Sequence, residues 1–261
     1  MNYLVDSHCH LDRLNLKAFD GSLDQALDHA RELGVGHMLC VAINMKEYPK
    51  MLALVEAHSQ VSASVGVHPN EHKGHDPSED ELVDMAAHPK VVAIGETGLD
   101  YYRSEGDLDW QRERFRRHIR AAKRVGLPLI IHTREAFDDT AQILKEEGAE
   151  EVGGVMHCFA GDWTQAKRSL DLNFHISLSG IVTFNNADEL RRVAKLTPAE
   201  RLLVETDAPY LTPVPHRGKP NVPGYTRHVA ECIAEQRGLA WEAVAGRTTE
   251  NFYTLFAKAA A

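Results

Sequence analysis

Eight short apolar runs, each closed by polar or charged residues and separated by stretches of helical periodicity, constrain this 261-residue chain more than any other feature. The runs cover residues 3–5 leading into 6–10, then 38–42, 61–67, 91–94, 129–131, Gly154–Met156, Phe174–Leu178 and Leu202–Val204. Between them, 22–33 places Leu23, Ala26, Leu27 and Ala30 on one helical face and closes at Gly34. Residues 48–58, 136–147 and 164–170 read as further helices. Ser78 and Glu81 form a capping box for a helix ending near His88-Pro89. Leu108, Phe115, Ile119 and Ala122 stripe another that Gly126 and Pro128 stop. Thr197-Pro198-Ala199-Glu200 reads as one more capping signature, and the chain from Val222 as closing helices packed through Trp241, Val244, Phe252, Leu255 and Phe256. Short strands alternating with amphipathic helices imply parallel βαβ units, and eight of them close into a (β/α)8 TIM-type barrel. An open doubly wound sheet fits less well, because polar strand ends recur around the whole series rather than at one switch point.

Composition narrows the class further. A hydrophobic content of 43% can fill a substantial core, and a single domain over residues 1–261 is expected. The net charge of −9 excludes a protein that holds nucleic acid by bulk electrostatics, although bound cations supply positive charge locally. Cys9, Cys40, Cys158 and Cys232 are scattered without a Cys-x-x-Cys pair, which suits a reducing compartment. The N-terminal stretch lacks a basic segment followed by an apolar core, and no apolar run approaches the roughly 20 residues of a membrane span. The expectation is a cytoplasmic protein without membrane association or an obligate protein partner.

The strand ends carry the chemistry. His8 and His10 point to the same face of an extended segment and make a chelating pair, while Cys9 points the other way. Glu96 follows the fourth run, His132 the fifth, His157 the sixth and Asp207 the eighth. In a barrel the equivalent strand ends face one mouth, so residues distant in sequence address one small volume. A solitary histidine is most often structural, but six such groups packed together without an ion would be costly. Four histidines and two carboxylates exceed the three protein ligands of a mononuclear catalytic zinc site, so two divalent ions are expected, with Glu96 able to bridge them. A divalent ion lowers the pKa of water it holds to about 7, and Asp207 is placed to accept that proton. Mixed nitrogen and oxygen donors leave Mg²⁺, Mn²⁺ and Zn²⁺ open.

These residues sit in motifs that resemble a known family. Asp6-Ser7-His8-Cys9-His10-Leu11-Asp12, Gly66-Val67-His68-Pro69, Gly95-Glu96-Thr97-Gly98-Leu99-Asp100-Tyr101-Tyr102, Ile131-His132-Thr133-Arg134 and His157-Cys158-Phe159-Ala160-Gly161 are similar to successive motifs of the TatD family of metal-dependent deoxyribonucleases. Glu205-Thr206-Asp207-Ala208-Pro209-Tyr210-Leu211, Arg217-Gly218-Lys219-Pro220-Asn221 and Thr248-Thr249-Glu250-Asn251 continue the series. The resemblance implies an amidohydrolase-superfamily barrel, two divalent ions and phosphodiester hydrolysis, often as a 3′→5′ exonuclease. It assigns His8, His10, Glu96 and Asp207 to one ion and Glu96, His132 and His157 to the other. Glu96, where many binuclear relatives carry a modified lysine, implies the nuclease-like branch. Single-stranded or frayed DNA ends are the implied substrate. The alternatives are a misacylated-tRNA deacylase or a small-molecule amidohydrolase, since fold does not settle function.

Substrate contacts are expected from polar residues just past the strand ends. The proline-rich stretch 208–226 follows strand eight and offers Arg217 and Lys219 for phosphate. Arg103 and Arg134 lie beyond strands four and five, and His68 and Asn70 can orient a phosphate or a leaving oxygen. Tyr101 and Tyr102 can stack on a base or pack against the next helix. The basic run Arg112, Arg114, Arg116, Arg117, Arg120, Lys123 and Arg124 reads as a solvated helix face, because helices ring the outside of such a barrel.

Overall fold

The computed structural model describes residues 3–260; the one-domain expectation over 1–261 therefore includes positions 1, 2 and 261, which lie outside the described residues. Strands β1 (Leu4–Cys9), β2 (Val35–Cys40), β3 (Val61–Val65), β4 (Val91–Asp100), β5 (Leu129–Arg134), β6 (Gly154–Met156), β7 (Phe174–Leu178) and β8 (Leu202–Val204) follow one another in the sheet in chain order. The helices are α1 (Leu23–Glu32), α2 (Tyr48–Glu56), α3 (Glu79–Ala86), α4 (Asp109–Val125), α5 (Phe137–Glu146), α6 (Trp163–Asp171), α7 (Asp188–Leu196), α8 (Thr226–Arg237) and α9 (Trp241–Leu255). Parallel strands in chain order, alternating with helices, make this a (β/α)8 TIM-type barrel, as the alternation predicts.

The described residues form two compact units. In the first, which comprises residues up to 40, 158–167 and 176–254, β1 pairs with β2 and the end of β7 with β8. Beyond β8 the chain bonds back to β1: the Asp207 N–H donates to the His8 carbonyl at 2.9 Å and the His10 N–H to the Ala208 carbonyl at 2.8 Å. Leu4, Leu39, Leu178, Val229, Ile233 and Phe252 are buried here.

The second unit comprises 41–157, 168–175 and the described residues from 255, and carries β3 to β6 in parallel pairs. Val61, Val65, Ile94, Phe115, Ile119 and Ile130 fill its interior, each large side chain contributing on the order of 1.5–3 kcal/mol by leaving water. Gly98 on β4 has φ +138°, and any Cβ there would collide with the His132 carbonyl oxygen of β5, so only glycine permits the pairing of Gly98 with His132. The Ser78–Glu81 capping box opens α3 as the sequence predicts, with the Glu81 N–H donating to Ser78 Oγ at 3.2 Å and the Ser78 N–H to Glu81 Oε2 at 2.7 Å.

Several boundaries differ from expectation: β2 covers Val35–Cys40 rather than 38–42, and β4 runs on from 94 to Asp100. Thr197 opens no α-helix; it ends α7, where its hydroxyl donates to the Val193 carbonyl at 2.8 Å and Pro198 blocks further helical bonds. The residues after it form a short 3-10 turn, Ala199–Arg201, ahead of β8.

Candidate metal centre

In the first unit, β1 and the chain beyond β8 bring His8, His10 and Asp207 together. Asp207 Oδ1 lies 3.7 Å from His8 Nε2 and 3.4 Å from His10 Nε2, and both histidines are buried. Asp207 holds a left-handed backbone, φ 55°, a conformation that aspartate tolerates better than most residues. Behind this turn the buried Asp6 carboxylate accepts from the Thr206 N–H at 2.9 Å, the Thr206 hydroxyl at 2.5 Å and the His8 N–H at 3.3 Å. Burial pushes the Asp6 pKa up to about 8 in spite of these donors.

In the second unit, β4, β5 and the residues following β3 and β6 bring three imidazoles to a single carboxylate oxygen. Glu96 Oε1 lies 2.8 Å from His157 Nε2, 3.0 Å from His132 Nδ1 and 3.4 Å from His68 Nε2. Burial alone would raise the Glu96 pKa, but electrostatic attraction to the neighbouring His157 and His68 rings and hydrogen bonding to His132 and His157 hold it well below the ordinary carboxylate value. Burial works against the charged form of His132 too, yet its bonds to Asp100 and Glu96 raise its pKa. His68 differs: the Asn70 N–H donates to His68 Nδ1 at 3.0 Å, so the neutral ring carries its proton on Nε2, and burial favours that neutral form. His68 therefore presents an N–H, whereas a metal ligand must present a lone pair.

Asp100, absent from the sequence-derived set, belongs to this cluster. Its Oδ2 lies 3.1 Å from His132 Nε2 and accepts from Asn70 Nδ2 at 2.8 Å, and its Oδ1 accepts from the N–H groups of Tyr102 and Arg103 at 3.0 and 2.9 Å. Its own N–H donates to Gln111 Oε1 at 2.9 Å. A signal was present in the sequence: on an extended strand Asp100 shares a face with Glu96, four residues earlier.

The donor chemistry fits divalent cations. His8, His10 and Asp207 form one set whose nitrogen and oxygen atoms all lie within 4.8 Å of one another, and in the second unit His132 Nδ1 and His157 Nε2 lie 3.0 and 2.8 Å from Glu96 Oε1. Neutral imidazole with carboxylate suits Zn²⁺ and Mn²⁺, and carboxylate suits Mg²⁺.

Of the expected substrate-contact residues, His68 and Asn70 belong to the second cluster, and Arg103, Arg134, Arg217 and Lys219 are exposed. Arg134 is exposed and lies 3.9 Å over the ring of Tyr102, itself 58% exposed, while Tyr101 donates its hydroxyl to Asp139 at 2.5 Å. Arg103 is exposed beside Tyr102. Arg217 and Lys219 are exposed in the first unit, with Arg217 stacked over Phe184 at 3.9 Å. The α4 basic run is occupied by acidic partners: Arg112 pairs with Asp109 and Asp139, Arg114 and Arg117 with Asp76, Arg116 with Glu146 and Glu147, Arg120 with Glu113 and Glu147, Lys123 with Glu151, and Arg124 with Glu79 and Asp80.

Comparison with known proteins agrees with this picture. The family model described as TatD related DNase matches residues 5–257. The uncharacterized metal-dependent hydrolase YcfH of Escherichia coli K12 is 47% identical over 255 residues, covering 97% of this chain and 96% of the relative. YabD of Bacillus subtilis, also an uncharacterized metal-dependent hydrolase, is 43% identical over 256 residues, 97% of this chain and 98% of its own length. The crystal structure of YjjV, a TatD homolog from Escherichia coli K12, superposes with a TM-score of 0.88 at 32% identity, covering 97% of this chain and 98% of that one. The chain belongs to the TatD family and is a metal-dependent hydrolase built on a (β/α)8 barrel.

Proposed function

We propose that the chain hydrolyses DNA phosphodiester bonds, removing nucleotides from the 3′ end of single-stranded or frayed DNA with two divalent ions, Mg²⁺, Mn²⁺ or Zn²⁺. The carrying observation is the convergence of His157, His132 and His68 nitrogens on Glu96 Oε1, at 2.8, 3.0 and 3.4 Å. So many polar groups around one buried oxygen suit a cation better than they suit one another. The family description, TatD related DNase, supports DNA as the substrate.

His8, His10 and Asp207 would hold one ion, and Glu96, His132 and His157 the other. Bound divalent ions supply Lewis-acid stabilisation of charge on the phosphoryl oxygens and make an attacking water acidic. Asp207 accepts the proton of that water through its carboxylate. His68 offers its Nε2 proton to a phosphate or leaving oxygen, with Asn70 holding the ring in the donating tautomer. Arg103, Arg134, Arg217 and Lys219 contact the phosphate backbone, and the exposed Tyr102 offers a stacking face. A cytoplasmic location, suited to four free cysteines, goes with this activity.

End-labelled single-stranded DNA, metal-stripped protein and separately added Mg²⁺, Mn²⁺ or Zn²⁺ test the proposal, with Glu96→Gln and Asp207→Asn as controls. Metal-dependent stepwise shortening from the 3′ end, lost in both variants, is the expected result. Intact DNA under every ion, with metal bound, would transfer the activity to another ester or an amide and remove the phosphate roles first.

A further inference from the structure

Outside the strand-end clusters, the first unit holds two histidines that face each other where the proline-rich segment 208–226 meets α8. His216 Nε2 and His228 Nε2 are 3.2 Å apart. His228 Nδ1 lies 3.0 Å from Glu231 Oε2, so the carboxylate accepts from the Nδ1–H and leaves the Nε2 lone pair aimed toward His216. Glu231 is fixed in turn: Arg227 Nε donates to its Oε1 at 2.6 Å, and the Arg227 guanidinium lies 3.4 Å over the Trp241 ring. His216 is held by a parallel stack on Tyr225, with centroids 4.1 Å apart and planes 7° from parallel. Both rings are thus oriented through partners that leave the Nε2 atoms to each other.

The ring separation bears on what those nitrogens can share. A straight N–H···N bond across this gap would put the centroids about 5.5 Å apart. They are 5.0 Å apart with planes at 49°, so the ring axes are bent relative to one another. An ion ~2.05 Å from each nitrogen, on both ring axes, would subtend about 100° and set the centroids about 5 Å apart, close to tetrahedral geometry. A carboxylate on the far nitrogen of a ligating histidine is also the usual support for such a site.

We propose that His216 and His228 form a second metal site, distinct from the proposed catalytic donor sets, that takes a transition-metal dication of the Zn²⁺, Ni²⁺ or Cu²⁺ type. Imidazole nitrogen selects these ions over Mg²⁺. With two protein ligands the ion keeps water in its remaining positions and exchanges readily. It clips 208–226 to α8 in the segment that also carries Arg217 and Lys219, and in which Asn221 Nδ2 donates to the carbonyls of Thr206 and Tyr210.

The test titrates metal-stripped full-length protein with Ni²⁺ and with Cu²⁺, counting bound equivalents for the wild type, His216→Phe and His228→Gln. Phenylalanine keeps the stack on Tyr225 without the nitrogen. Melting in chelator identifies any variant that fails to fold, and the other then carries the comparison. The wild type should bind one equivalent more than either variant, show two nitrogen ligands in the Cu²⁺ resonance spectrum of that equivalent, and gain several degrees in Tm that the variants do not. Equal equivalents and equal Tm gains in all three proteins would overturn the site and leave a histidine–histidine hydrogen bond.

Discussion

The two donor sets are held in place by different physics. His8, His10 and Asp207 owe their positions to main chain: the Asp207 and His10 N–H groups bond across to the His8 and Ala208 carbonyls, and Asp207 sits in a left-handed turn. Glu96 and His157 also have main-chain bonds, from their N–H groups to the Ala42 and Ile131 carbonyls at 3.0 and 3.1 Å, but the His132 ring is oriented by a side chain, with Asp100 behind it and Asn70 and Gln111 fixing Asp100 in turn. A set fixed by backbone keeps its shape when a supporting side chain is trimmed, whereas a set fixed by hydrogen-bonded side chains loses ligand orientation directly.

The largest expected effects fall on the sets themselves. Glu96→Gln removes the charge on which three imidazoles converge, and should lower turnover by about 10³-fold and release metal from the second set. Asp207→Asn should lower turnover comparably while the second set keeps its ion. Turnover and metal content measured on both variants decide the matter: normal turnover in Asp207→Asn at full occupancy would remove its role as base, and equal metal loss in both would erase the contrast between the sets.

Next in size is an acid effect confined to the second unit. Buried His118 accepts from the Val67 N–H at 3.1 Å through Nε2, and its Nδ1 lies 2.9 Å from the Arg114 carbonyl, an arrangement that requires the neutral ring. Burial pushes its pKa from 6.5 down to about 4. The unfolded chain therefore takes up this proton first as pH falls. The stabilisation is complete above pH ~6.5 and is lost down to pH ~4, about 3 kcal/mol in all. Denaturant unfolding across that window should be steeper in pH for the wild type than for His118→Gln, and identical slopes would show that Val67, next to His68, is not held this way.

The fold was legible because it repeats. Each apolar run and its polar terminus could be read from residue type, and a (β/α)8 order follows from eight of them. The α7 boundary was not, because Thr197-Pro198 carries the composition of a helix start while its hydroxyl in fact bonds backward to Val193. Glu96, His132 and Asp207 are readable from the sequence as candidate donors because strand ends in such a fold gather chemistry. Asp100 is harder to read, because a carboxylate after a strand run looks like the start of a loop and its partner His132 lies 32 residues away. The donating tautomer of His68 depends on the Asn70 N–H, a backbone contact that no residue pattern encodes.

Two trimmed supports sharpen the comparison further. Asp100→Ala leaves His132 Nε2 without its carboxylate and should weaken metal binding by the second set about 10–100-fold, the usual size for a carboxylate that orients a ligating histidine. A calorimetric titration of stripped protein measures it, and unchanged affinity would mean that β5 alone orients the ring.

Thr206→Val is the counterpart in the first unit, and the smallest effect. It removes the hydroxyl that donates to Asp6 Oδ2 and accepts from the Ala208 N–H at 3.1 Å, while the Thr206 N–H bond to Asp6 Oδ1 remains. A buried hydrogen bond of this kind contributes about 1–2 kcal/mol, so the cost should appear in unfolding free energy. The bonds from Asp207 and His10 to the His8 and Ala208 carbonyls do not involve the Thr206 side chain, and they keep the donors of this set in place. Metal affinity should therefore stay within about threefold of the wild type, well short of the Asp100→Ala loss. If Thr206→Val instead loses affinity as steeply as Asp100→Ala with little change in stability, the Asp6–Thr206 pair orients Asp207 as Asp100 orients His132, and both sets are held by side chains.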